Sequence, residues 1–183
     1  TWYLLSEHPE ARARVEAEAD AVEGSPTMDD VAEFEYIEWV IKEAMRLYPP
    51  VYTMFRDTAR DVELLGYEIP AGSAIMLPQW AVHRSPTYWD DPEAFRPERW
   101  RPRRRDDRPR FAYFPFGGGP RHCIGKHLAE LEAKLIVATV AKRFELSYEG
   151  PDLGVGDLQP SLTLHPRDGM EMTVRERSER GAK

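Results

Sequence analysis

Residues 114–129 constrain this chain more than any other stretch: Phe-Pro-Phe-Gly-Gly-Gly-Pro-Arg-His-Cys-Ile-Gly-Lys-His-Leu-Ala. They hold its only cysteine, Cys123. A glycine-rich turn precedes it, Arg121 stands two positions back, and Gly125 opens a helix-forming run. One cysteine excludes an intrachain disulfide and points to a reducing, cytoplasmic compartment. A lone thiol in this setting is suited to be a ligand or a nucleophile. On the residues alone, plainer roles stay open. Cys123 can be an inert buried side chain. It can join His122 or His127 at zinc, although structural zinc usually takes four protein ligands. It can be a nucleophile served by His127, which a helix would set one turn below the thiol, poorly placed for a base.

The rest of the chain reads as mainly α with small β-sheets, an α+β fold. Pro9 suits a first helical position, and the strong helix formers after it predict a helix over 9–22. Gly24-Ser25-Pro26 breaks it. A second helix is predicted over 31–48, where Phe34, Ile37, Val40, Ile41, Ala44, Met45 and Tyr48 form one apolar stripe. Pro49-Pro50 ends it. Short β-prone pieces follow at 54–55, 62–64 and 75–77, parted by Gly66 and by Pro70-Ala71-Gly72. The proline-dense stretch 86–110 reads as an ordered meander pinned by Trp89, Phe95 and Trp100. A third long helix is predicted over 124–143, with Ile124, Leu128, Leu131, Leu135 and Ile136 inward. The tail carries β-like pieces near 144–148, 161–164 and 171–174, with a turn at 165–169.

A length of 183 residues is enough for one domain with a core. No apolar run approaches the ~20 residues of a membrane span. The net charge of −7 is uneven, because residues 101–110 carry six Arg against two Asp. Those aspartates and the two prolines beside them break any continuous basic helix, which argues against nucleic acid and for a solvated loop. The chain opens on Thr1 and an apolar Trp2-Tyr3-Leu4-Leu5, as if a buried helix had been cut midway. That predicts the C-terminal part of a longer protein.

The spacing of Phe116, Gly119, Arg121, Cys123, Gly125 and Ala129 resembles the haem-thiolate loop of the cytochrome P450 monooxygenases. Two further motifs fit the same family in order. One is Glu43-Ala44-Met45-Arg46 just before Tyr48-Pro49-Pro50; the other is Phe95-Arg96-Pro97-Glu98-Arg99-Trp100. The resemblance implies haem b (iron protoporphyrin IX) with Cys123 as the iron ligand. The physical fit is direct. The N–H groups and dipole of a following helix favour an anionic sulfur. The glycines at 117–119 let a flat cofactor lie on bare backbone, and Phe116 can pack on its face. A thiolate ligand pushes electron density onto iron and favours O–O cleavage.

Other roles follow from the resemblance alone. Arg56 and Arg121 meet haem propionates. Glu43, Arg46 and Arg99 form a buried charge triad that locks helix to meander. His83 packs. Val51 and Phe55, with Leu162 and Thr163 of the terminal hairpin, contact a hydrophobic substrate. The whole protein would insert one atom of O2 into that substrate, with electrons from a ferredoxin or flavoprotein donor. The oxygen-activating acid and alcohol would lie upstream of Thr1, so residues 1–183 alone would be inactive. A different class of outcome is a non-catalytic haem-binding or haem-sensing module built on the same loop.

Overall fold

The computed structural model describes residues 1–102 and 108–177. Most of the arginine run, residues 103–107, lies outside them. Among the described residues five α-helices appear in order: α1 (Trp2–Glu7), α2 (Pro9–Asp20), α3 (Glu35–Leu47), α4 (Gln79–Val82) and α5 (Lys126–Arg143). Between α3 and α4 lie β1 (Met54–Asp57), β2 (Val62–Leu64), β3 (Tyr67–Ile69) and β4 (Ala74–Leu77). After α5 come β5 (Phe144–Ser147), β6 (Leu158–Pro160), β7 (Leu164–Pro166) and β8 (Thr173–Glu176). The strands pair antiparallel in twos: β1 with β4, β2 with β3, β5 with β8 and β6 with β7.

The core sits where α2, α3 and α5 meet. On α2, Ala11, Val15 and Ala19 fall four residues apart and are buried, as one helix face requires. Phe34, which caps α3, and Ile37 and Val40 on it are wholly covered, and Ile41 and Ala44 nearly so. The predicted apolar stripe is therefore the one that packs. This helix starts later than the sequence predicts, because Met28–Ala32 forms a separate 3-10 turn. Its cap is Thr27, whose backbone N–H donates to Asp30 Oδ2 at 2.7 Å, a capping box that closes the turn before the helix begins.

Helix α5 corrects the predicted inward face. Ile124 precedes the helix and is 98 % exposed; Leu128 is 60 % and Ile136 56 % exposed. Leu131 and Leu135 are half-buried. The buried positions are Val137, Ala138 and Ala141. Small side chains let α5 approach α2 and α3 closely, and Leu128 and Ile136 are left exposed.

The β pieces also shift. A strand at 67–69 joins the predicted one at 62–64 through a two-residue turn, Leu65-Gly66, both with positive φ. The expected strand at 161–164 is instead mostly the turn between β6 and β7, where Ser161 N–H donates to Thr163 O at 3.3 Å. The meander is ordered by its aromatics. Trp89 packs tilted against Trp100 with ring centres 5.7 Å apart, and Trp100 packs likewise on Tyr113 at 4.5 Å. No helix among the described residues is long and apolar enough to cross a membrane.

Candidate functional site

Glu43 and Arg46 stand one turn apart on α3, on the side facing the meander, and neither is exposed at all. The guanidinium binds the carboxylate through both edges: Arg46 Nε donates to Glu43 Oε2 at 3.0 Å, and Nη2 donates to Oε1 at 2.8 Å. Its other hydrogens reach the carbonyls of His83 at 2.9 Å, Pro92 at 2.6 Å and Ala94 at 3.0 Å. Arg99 Nε donates to Glu43 Oε1 at 3.1 Å. The Arg96 backbone N–H and the Trp100 indole N–H, each at 3.0 Å, complete the carboxylate's shell. Burial lowers the Arg99 guanidinium below its usual value, with Glu43 opposing. A buried charge with every lone pair and proton used holds together only as a set. The structure thus brings Glu43, Arg46 and Arg99 onto one carboxylate.

The cysteine loop is built mainly from backbone. Gly117 N–H donates to Phe114 O at 2.9 Å, and Gly117 itself has φ +74°. A side chain there would be strained, and its Cβ would sit 3.2 Å from Met54 Sδ. The loop therefore lies against β1. Cys123 N–H donates to Phe116 O at 2.9 Å, which ties the two ends of the glycine turn together. Cys123 is exposed, and a Cβ on Gly125 would stand 3.9 Å from its sulfur. Gly125 is the N-cap of α5, and its carbonyl accepts from Ala129 N–H at 2.9 Å. Phe116 is half-buried, while Gly119, Arg121 and Ala129 are exposed. Arg56 shares a face of β1 with Met54, the residue against Gly117, and is half-buried. Its Nη1 donates to the Phe55 carbonyl at 2.8 Å.

Gln79 of α4 and His83, the residue that caps its C-terminus, hold the start of this loop. Gln79 Nε2 donates to Phe114 O at 2.7 Å, and Phe114 N–H donates to His83 Nε2 at 2.9 Å. Both side chains are wholly buried. His83 does more than the packing expected of it. Burial, then Arg46 and Arg84, lowers its imidazole to about 4. Gln79 is not a residue the sequence singles out. The available signal is two polar side chains four apart, Gln79 and His83, flanking the apolar Trp80-Ala81-Val82.

Comparison with known proteins decides the family. The family model described as Cytochrome P450 matches residues 1–170. The chain belongs to the cytochrome P450 family. It is 37 % identical over 183 residues to mouse Cytochrome P450 4V2, covering 97 % of this chain and 34 % of the relative. It is 46 % identical over 147 residues to the Cyclooctat-9-en-7-ol 5-monooxygenase of Streptomyces melanosporofaciens, covering 79 % and 32 %. The crystal structure of the cytochrome P450DA heme domain superposes with a TM-score of 0.85 at 34 % identity, over 96 % of this chain and 39 % of that one. The chain thus spans about a third of the length of the curated relatives it matches.

Membership in the P450 family implies a haem cofactor, and the residues present fit one. An exposed thiol, a backbone that has no room for side chains at Gly117 and Gly118, and a helix N-terminus adjoin one another. At Gly118 a Cβ would come within 2.4 Å of the Phe111 ring. Of the segments expected against a substrate, the chain just before Val51 meets the chain just after the 162–163 turn, where Leu164 N–H donates to Pro50 O at 2.7 Å. Phe55 is 58 % exposed and lies on the opposite face of β1 from Met54 and Arg56. Leu162 is 94 % exposed.

Proposed function

We propose that this chain is the C-terminal part of a haem-dependent monooxygenase that inserts one oxygen atom of O2 into a hydrophobic organic substrate. The observation that carries the reading is the loop itself: an exposed Cys123, hydrogen-bonded through its backbone to Phe116, at the foot of α5. Haem b, when bound, supplies the oxygen-activating chemistry. Cys123 holds the iron through its thiolate, Phe116 packs on the ring, and Gly119, Gly125 and Ala129 leave room for it. Arg121 and Arg56 neutralise propionates. The Glu43 cluster holds the scaffold on which the loop rests. Oxygen-activating side chains come from outside residues 1–183, so this stretch alone is inactive. The lone cysteine suits a reducing, cytoplasmic compartment.

Exposed apolar side chains at Val51, Phe55 and Leu162 suit a hydrophobic substrate. Lys126 beside the loop suits an acidic ferredoxin or flavoprotein donor. Reduction by such a donor should slow as salt is raised; a rate indifferent to salt would remove that partner class. The reading as a whole is tested by the absorption spectrum of the reduced, carbon monoxide-bound full-length protein beside its Cys123→Ser variant. A strongly red-shifted Soret band, lost in the variant, is expected. Folded, haem-loaded protein without that band would overturn the assignment of Cys123.

A further inference from the structure

We propose that Gln79 and His83 are positioning residues that fix the cysteine loop by gripping both backbone groups of Phe114. The inference rests on the reading of Cys123 as the iron ligand. The two side chains sit one helical turn apart and point the same way. One donates to the Phe114 carbonyl and the other accepts from its N–H. That carbonyl also accepts from Gly117 N–H, which closes the glycine turn, and the next rung is Cys123 N–H to Phe116 O. The grip is thus two residues from Phe116 and one turn from the sulfur-bearing residue.

Three features separate a grip from packing. First, the helix that applies it is itself anchored: His83 O accepts from Arg46 Nη1 at 2.9 Å, and Trp80 N–H donates to Tyr52 O at 3.0 Å. Contact therefore runs from the Glu43 cluster through His83 to the loop. Second, Nε2 takes the Phe114 N–H with its lone pair, which sets the ring proton on Nδ1, buried like Gln79 Oε1 with no hydrogen-bond partner. The ring is held between Tyr113, at 5.1 Å, and Phe114, at 5.3 Å. Third, Gln79 Oε1 is buried with no partner. Burying an amide oxygen unpaired is unfavourable, and leucine would fill the space without that cost. Turning the amide round would set two oxygens face to face at Phe114. The donor is what the position needs.

The test uses the full-length haem-loaded protein with Gln79→Leu, His83→Leu and His83→Gln, the last placing an amide acceptor near the position of Nε2. Two quantities are followed. One is hydrogen exchange at the Gly117 and Cys123 amides against those of α2. The other is the rate at which the thiolate-type Soret band of the reduced, carbon monoxide-bound form is lost in mild urea. Both leucine variants should exchange and lose the band about tenfold faster than wild type, with α2 unchanged. His83→Gln should stay close to wild type. Wild-type behaviour in Gln79→Leu, or losses spread equally over α2, would overturn the proposal. If the wild type never forms the thiolate band, the assignment of Cys123 fails, and exchange at Gly117 and Cys123 still decides whether the grip exists.

Discussion

The Glu43 cluster and the Cys123 loop are built in opposite ways. Glu43 and Arg46 are wholly buried, and the carboxylate is met by Arg46, Arg99, Arg96 and Trp100. Around Cys123 the backbone is tied at 2.9 Å and the thiol is left open. A closed set of charges can only hold position, because any new ligand would have to displace a partner. An open side chain on a fixed backbone is what a ligand site needs. The two regions are joined through His83, the C-cap of α4, which is touched by Arg46 on its carbonyl and by Phe114 on its ring.

If that contrast is right, breaking the closed region should cost stability, and changing the open one should not. The largest effect is expected for Glu43→Ala, which leaves Arg46 and part of Arg99 buried without their counter-ion. A loss of about 3–5 kcal/mol is expected, read from denaturant unfolding. A loss under about 1 kcal/mol would mean that the cluster is solvated like a surface pair. Next comes acid. The His83 imidazole titrates at about 4 when folded, against 6.5 ordinarily. Between those values the unfolded chain binds more protons, so stability falls as pH drops from about 6.5 towards 4. The full difference is on the order of 3 kcal/mol. Unfolding midpoints measured across that range in wild type and His83→Gln should draw apart as pH falls, because only the wild type loses stability through this group. Parallel curves would show that His83 is not the group responsible. The smallest effect is expected for Cys123→Ser, within about 0.5 kcal/mol of wild type, because the side chain is exposed. A large loss there would show the loop to be structural in its own right.

Much of this architecture is legible in the chain. The stripe on α3 is read from periodicity, and Glu43 and Arg46 from their spacing on one face. The loop is recognisable from Gly117 to Ala129. Less legible was the face of α5 that packs. Leucine and isoleucine argue for one side, and the close approach of α2 and α3 selects Val137, Ala138 and Ala141 instead. The short strands moved for a similar reason, since each pair is set by its turn and partner and not by local propensity.

The amino-acid sequence by itself determined the family, the single thiol and the helix that receives it, because these depend on residue identity at short spacing. Only the tertiary structure decided what holds the thiol in place. Glu43 finds Arg99 across 56 positions, and Phe114 finds Gln79 and His83 across 35 and 31. No local pattern encodes such pairs; they form because burying a polar group is tolerable only where folding delivers its partner.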